Sequence, residues 1–205
     1  MMNISKLLLL LALLSVINAF GQDTSFFKSH SADPIIGVIG GMYFDLFSPK
    51  QELCYSIGGR GAAVIDQRWI VGGFAQGNIA SSFNYTYIGL PARIYLGQGG
   101  LWLGRFIFPD KKLNLALSST FSWGAFDSEL RISHEGEALR TIDGYNSDYY
   151  QIAPEADVFV KLAPFLRLSA SIGYRFTFGM KYNPIINNQQ MNSLFTQVGF
   201  TLGKF

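Results

Sequence analysis

Phe165-Leu166-Arg167-Leu168-Ser169-Ala170-Ser171-Ile172-Gly173-Tyr174-Arg175-Phe176-Thr177-Phe178 alternates strictly. Leu166, Leu168, Ala170, Ile172, Tyr174, Phe176 and Phe178 take one side, and Arg167, Ser169, Ser171, Gly173, Arg175 and Thr177 take the other. Successive side chains of a strand point to opposite faces, so this stretch predicts a strand with one apolar and one polar surface. Upstream, Tyr150 to Leu162 places Ile152, Ala156, Val158, Val160 and Leu162 opposite Gln151, Glu155, Asp157 and Lys161, with Phe159 out of pattern. Leu162-Ala163-Pro164-Phe165 then reads as a tight turn. Leu113, Leu115, Leu117, Phe121, Trp123 and Ala125 alternate with Asn114, Ala116, Ser118, Thr120, Ser122 and Gly124. At the end of the chain Leu194, Val198, Phe200 and Leu202 alternate with Gln197, Gly199, Thr201 and Gly203.

Four further strands are expected over Ile35–Phe47, Cys54–Ile65, Arg68–Ile79 and Pro91–Phe108. All are Gly-rich, and the last admits either phase around Leu101-Trp102-Leu103, with a bulge as one way to switch. That makes about eight. The connections fall into two classes that alternate along the chain. Asp66-Gln67, Pro109 to Lys112 and Leu162 to Phe165 are short, whereas Ala80–Leu90, Asp127–Tyr149 and Gly179–Ser193 are long. The first connection, Ser48 to Glu52, is short and belongs to the side of the long ones. Short turns on one side and long loops on the other are the mark of an up-and-down transmembrane barrel, and an even strand number brings both termini to the turn side.

The N-terminus supports export. Lys6 precedes an apolar run from Leu7 to Ile17, and Ala19 and Gly21 supply small residues at −3 and −1. A cleavable signal peptide over 1–21 is expected, followed by a periplasmic tail over 22–33 and a barrel over 34–205. The apolar run is shorter than the roughly 20 residues a membrane helix requires. Charged residues make up only 15% and aromatics another 15%, against the usual ~25% charged for soluble domains. Hydrophobicity without a continuous apolar span is hidden in alternation. In lipid, every backbone polar group must be paired, which leaves a closed barrel. The net charge of +2 argues against nucleic acid as a partner. Cys54 is the only cysteine, so no disulfide forms within the chain, and it is expected at the rim or facing lipid.

Alternation alone does not say which face is inside, and a soluble eight-stranded barrel with an apolar cavity is the rival. A soluble barrel would present Lys and Glu to water. Here the polar face is mostly Ser, Gly, Thr, Ala and Asn, small side chains that fit the narrow lumen of eight strands. Two aromatic girdles are expected, with Trp123, Phe126, Tyr149, Tyr150, Phe176, Phe178 and Tyr182 at the loop side and Trp69, Phe106, Phe108 and Phe165 at the turn side.

The leader, the alternating strands, the two classes of connection and the final segment Leu194 to Phe205 together resemble the small outer-membrane barrels of the OmpA and OmpX type. That resemblance implies residence in the outer membrane of a Gram-negative cell, contact with its lipids, and reading of the last strand by the barrel-assembly machinery. Phe200, Leu202 and Phe205 would carry that assembly signal. Phe205 departs from the family pattern, because it shares its phase with Gly203 and Thr201.

Candidate functional groups are few. Arg60, Glu155, Asp157, Arg167 and Arg175 fall on the polar face and are expected to form a charge cluster that plugs the lumen, with a gating or binding site as the alternative. In the longest loop, Glu129 to Ile142 has strand-like arms about a Glu-Gly turn, and it carries Arg131, His134, Glu135, Glu137 and Arg140. Such a hairpin offers edges on which an extracellular partner could add a strand. Some barrels of this size modify lipid A with a Ser and a His, but Ser133 and His134 are neighbours and point apart on a strand. No HExxH, Cys pair or phosphate loop is present, so neither catalysis nor a cofactor or metal is expected. The reading is a plugged structural or surface-interaction barrel. A narrow channel or a pathway for small hydrophobic molecules is the alternative, and a lipid-modifying enzyme is the third.

Overall fold

A computed structural model describes residues 35–79, 84–87, 90–109, 111–132, 140–181 and 186–204. The expected leader, the tail over 22–33, the hairpin-tip residues His134, Glu135 and Glu137, and Tyr182 and Phe205 lie outside the described residues. The described residues form nine strands in chain order: β1 (Ile36–Phe47), β2 (Cys54–Ile65), β3 (Trp69–Asn78), β4 (Asn84–Tyr87), β5 (Leu90–Phe106), β6 (Leu113–Ile132), β7 (Arg140–Ala163), β8 (Leu166–Phe178) and β9 (Ser193–Lys204). All pairings are antiparallel. β1 pairs with both β2 and β9, and β3 with β5, so the sheet closes on itself. The four-residue β4 continues the line of β3 along the same neighbour β5, so eight strands surround the lumen. The expected all-β, eight-stranded transmembrane barrel is what the chain forms.

The apolar face points outward. Val38, Met42, Phe44, Leu101, Leu103, Phe121, Leu168, Ile172, Val198, Phe200 and Leu202 are all exposed on the barrel wall, a surface that suits lipid and not water. Trp123, Tyr150 and Phe178 form an outward row at the loop end: they are cross-strand neighbours, and the Tyr150 and Phe178 rings stack at 6.0 Å. At the turn end Phe165 and Phe108 are exposed, and the Arg105 guanidinium lies 5.1 Å over the Trp69 ring.

Three girdle assignments are corrected. Phe126, Tyr149 and Phe106 are buried in the lumen. Each shares its parity with the polar face of its own strand, and parity, not closeness to a strand end, decides the side. Cys54 likewise turns into the lumen near the rim, away from lipid. The phase of β5 is also settled without a bulge: Trp102 faces inward, and Leu101 and Leu103 face outward.

Much of what reads as loop is strand. β6 and β7 remain paired to Ile132 and Arg140, with one register shift at Leu130/Arg131. Pro154, in the middle of β7, coincides with a gap in the β7–β8 ladder between Ile152↔Phe176 and Glu155↔Gly173, where it has no N–H to donate.

The connection between β2 and β3, Asp66 to Arg68, has positive φ at Asp66 and Gln67, 52° and 57°, as the central residues of a type I′ turn closed by the Arg68 N–H on the Ile65 carbonyl require. Neither is glycine. Gln67→Gly is therefore expected to raise stability by up to about 1 kcal/mol, read as a higher urea midpoint for the barrel folded into lipid vesicles.

Candidate functional site

The inward side chains of the described residues lie in three layers. Near the loop end Phe47, Cys54, Ile94, Leu96, Phe126, Tyr149, Ala153 and Phe195 pack together, and the β8–β9 connection folds in to contribute Ile186 and Met191. Within that connection Asn187 caps the single helical turn α1 (Asn188–Met191), accepting from the Gln190 N–H while the Gln190 side chain accepts from the Asn187 N–H. This cap shapes the connection so that Met191 turns inward. Near the turn end Ile39, Val64, Ile70, Trp102, Phe106, Ala116 and Phe159 form a second apolar cluster. Phe159, out of pattern in the sequence, belongs here, its ring edge-on to Phe106 at 5.3 Å.

Charges lie between the two clusters. Arg60 on β2 reaches across the lumen to β7, 3.7 Å from Glu155 and 3.5 Å from Asp157. Its guanidinium lies 4.3 Å over the Trp102 ring, so the cation is held by two carboxylates and an aromatic face. Ser118 Oγ stands 2.8 Å from Glu155 and 2.6 Å from Asp157, and Ser171 Oγ donates to Asp157. The Ser118 hydroxyl has one proton and can donate to only one carboxylate at a time.

A second pair forms beside it. Arg175 donates to Asp45, which also accepts from Ser56 Oγ at 2.8 Å. The Arg175 guanidinium sits 4.6 Å from the centres of both the Phe47 and Phe195 rings. Asp45 was not among the sequence candidates. Its signal was there to be read: Tyr43, Asp45 and Phe47 share a parity opposite Met42, Phe44 and Leu46, but Gly40-Gly41 obscures the phase of β1.

Of the five expected cluster residues, the structure brings Arg60, Glu155 and Asp157 together and gives Arg175 a different partner. Arg167 stands apart. It lies toward the turn end with its guanidinium 5.7 Å over Phe106 and lines a separate cavity there. Of the loop residues, Arg131 and Arg140 are placed by backbone register near the end of the hairpin. Phe200 and Leu202 face lipid on β9.

Two cavities in the middle of the lumen, one beside Gln76, Gln98 and Gln151 and the other beside Arg60, Glu155 and Gln197, hold about 10 Å³ each. That is room for about one water apiece. A larger cavity of about 150 Å³ opens at the turn end.

The chain has the fold of the small outer-membrane barrels. It superimposes on Neisserial surface protein A with a TM-score of 0.51, at 11% identity, over 85% of this chain and 100% of that one. A major outer membrane protein from Thermus thermophilus gives a TM-score of 0.53 at 8% identity, over 82% and 98% of the two chains. No protein-family model matches the sequence, and no curated protein is significantly similar to it.

Proposed function

We infer that this transmembrane barrel sits in the outer membrane of a Gram-negative cell, turn end and termini toward the periplasm, and acts as a plugged structural and surface-interaction protein through its loop end. One observation carries the surface role. β7 outruns its neighbour: β7 and β8 pair only as far as Tyr150↔Phe178, so Arg140–Tyr149 has β6 on one side and, among the described residues, no strand on the other. A strand edge with no strand beside it, here met by the Lys181 N–H at Ser147 Oγ, can take an added strand from a partner, main chain to main chain. The segment Asp127–Asp148 also carries six acids against Arg131 and Arg140, which favours a partner strand with basic flanks.

The filled lumen supports the plug, since neither central cavity exceeds the room for one water and apolar clusters close both ends. No reaction and no cofactor is assigned. The lipid-facing wall holds outer-membrane lipids, and the last strand with Phe200, Leu202 and Phe205 serves as the segment read by the barrel-assembly machinery.

Two measurements test this reading. In planar bilayers the purified protein is expected to give no conductance steps; steady unitary currents would replace the plug with the channel alternative. For the edge, Ser128 and Tyr145 are register partners, so an Asn-Gly turn joining them shortens the hairpin without touching the membrane-embedded ladder. Cells displaying the intact protein should adhere to surfaces coated with serum and matrix proteins, and cells with the shortened hairpin should not. Equal adhesion, with both proteins showing the same heat-modifiable gel shift, would remove the hairpin from the function.

A further inference from the structure

We infer that the Glu155 and Asp157 pair holds one proton in the folded barrel, and that this proton makes the lumen packing tighter in acid and looser in alkali. A single hydroxyl is the reason. Ser118 Oγ stands 2.8 Å from Glu155 and 2.6 Å from Asp157, and it owns one proton. With both carboxylates ionised, one of those two contacts sets oxygen against oxygen with no hydrogen between them. A proton on Glu155 fills the gap: the Glu155 carboxyl donates to Ser118, and Ser118 donates to Asp157. Ser171 Oγ donates to the other oxygen of Asp157, so each of these short contacts then carries a hydrogen.

The charges agree. Arg60 is one cation set 3.7 Å from Glu155 and 3.5 Å from Asp157. Arg175 of β8 faces the same layer, but it is bonded to Asp45 of β1. Tyr43 of β1 is a neutral phenol that donates to Gln76 of β3. β5, β6 and β9 bring Gln98 and Trp102, Ser118 and Thr120, and Gln197, none of them charged. Arg167 lies farther toward the turn end, over Phe106. Among the described residues of this layer three carboxyls therefore meet two guanidiniums, and one proton makes the layer neutral. Uncompensated charge in a low-dielectric interior is costly.

The proton belongs on Glu155. Asp157 accepts from two hydroxyls, which favour its ionised form. Of those two hydroxyls Glu155 meets only Ser118. Glu155, unlike Asp157, also lines the small cavity beside Gln98 and Gln197, which has room for about one water. An unfolded Glu gives up its proton above about pH 4.3. Above that pH folding takes up one proton, so the unfolding constant rises with pH, by at most about tenfold per pH unit, until the pair is ionised in the barrel as well. The form left at the alkaline end is the one in which Arg60 is counter-ion to two negative charges.

The test follows urea unfolding of the full mature chain in phosphatidylcholine vesicles. The unfolding constant of the unmodified protein should be at least about tenfold larger at about pH 8.5 than at about pH 5.5. Glu155→Gln puts a neutral donor where the protonated acid stands, so it should lose this dependence. Asp157→Asn should lose it too, because Arg60 then balances a single carboxylate. Groups elsewhere in the chain titrate alike in all three proteins, so the difference between them is the readout. Infrared spectra of the folded barrels at about pH 5.5 supply a second measurement that does not depend on stability. The unmodified protein should show the carbonyl band of a protonated carboxyl, and Glu155→Gln should lack it. An unfolding constant of the unmodified protein that is flat or falls from acid to alkali overturns the proposal. So does an equal pH dependence in Glu155→Gln, a protonated-carboxyl band that survives that substitution, or no such band in the unmodified protein.

Discussion

Arg60→Met is expected to lower the unfolding free energy of the barrel in lipid vesicles by about 3–5 kcal/mol, the cost of leaving buried charge without its counter-ion. Arg60 is the cation that faces both Glu155 and Asp157, and neither carboxylate has access to bulk water. With Arg60 gone, Ser118 and Ser171 are the hydroxyls left in contact, and hydroxyl donors do not balance two negative charges in a low-dielectric lumen. The size of the loss is therefore set by the stranded carboxylates more than by the intrinsic worth of the ion pair. It follows that Arg60→Met combined with Glu155→Gln and Asp157→Asn should recover most of the lost stability. Urea titration of the heat-modifiable band measures all of these proteins. A triple variant as unstable as Arg60→Met alone would show that packing of Arg60 on Trp102, and not charge, holds this layer.

Gly173→Ala is expected to cost about 1–3 kcal/mol, whereas Gly97→Ala should stay within about 0.5 kcal/mol of the unmodified protein. A Cβ at Gly173 would come within 2.5 Å of both the Phe195 ring and the Pro154 carbonyl oxygen. Phe195 is the cross-strand partner of Gly173 and lies across it. The same arrangement recurs with Tyr43 over Gly58 and Tyr149 over Gly124, whose Cβ positions would meet the ring at 2.5 and 2.6 Å. In each case the absent side chain gives an inward aromatic room to lie flat against the wall, which is how large rings fit a narrow lumen. At Gly97 a Cβ meets nothing within 4 Å. Equal midpoints for the two variants would sink this account of the lumen glycines.

Why some strands were legible and others were not follows from what surrounds each face. From Leu113 to Phe126, from Tyr150 to Phe178 and from Leu194 to Leu202, one face meets lipid and the other a crowded polar interior, so period-2 alternation is enforced at nearly every position. In β1 to β3 glycine stands on both faces, because close strand approach and flat aromatics demand it, and the phase is blurred. Beyond the membrane, at Asp127–Ile132 and Arg140–Tyr149, no lipid enforces an apolar face, so paired strand reads as loop. The β8–β9 connection carries scattered apolar residues, Met180, Ile185, Ile186 and Met191, in a polar stretch with no period to mark which of them turn inward.

The sequence by itself determined that this chain is a closed transmembrane barrel and which side of its best-patterned strands carries charge, because parity is local and needs no partner to be read. What only the tertiary structure decided is who meets whom. Arg60 on β2 and the acids of β7 come together through closure of the sheet, with three strands between them on one side of the wall. The same closure gives Arg175 to Asp45, separates Arg167 from the other charges, and sets it beside Lys111 and Lys161 in a cavity that no spacing along the chain could disclose.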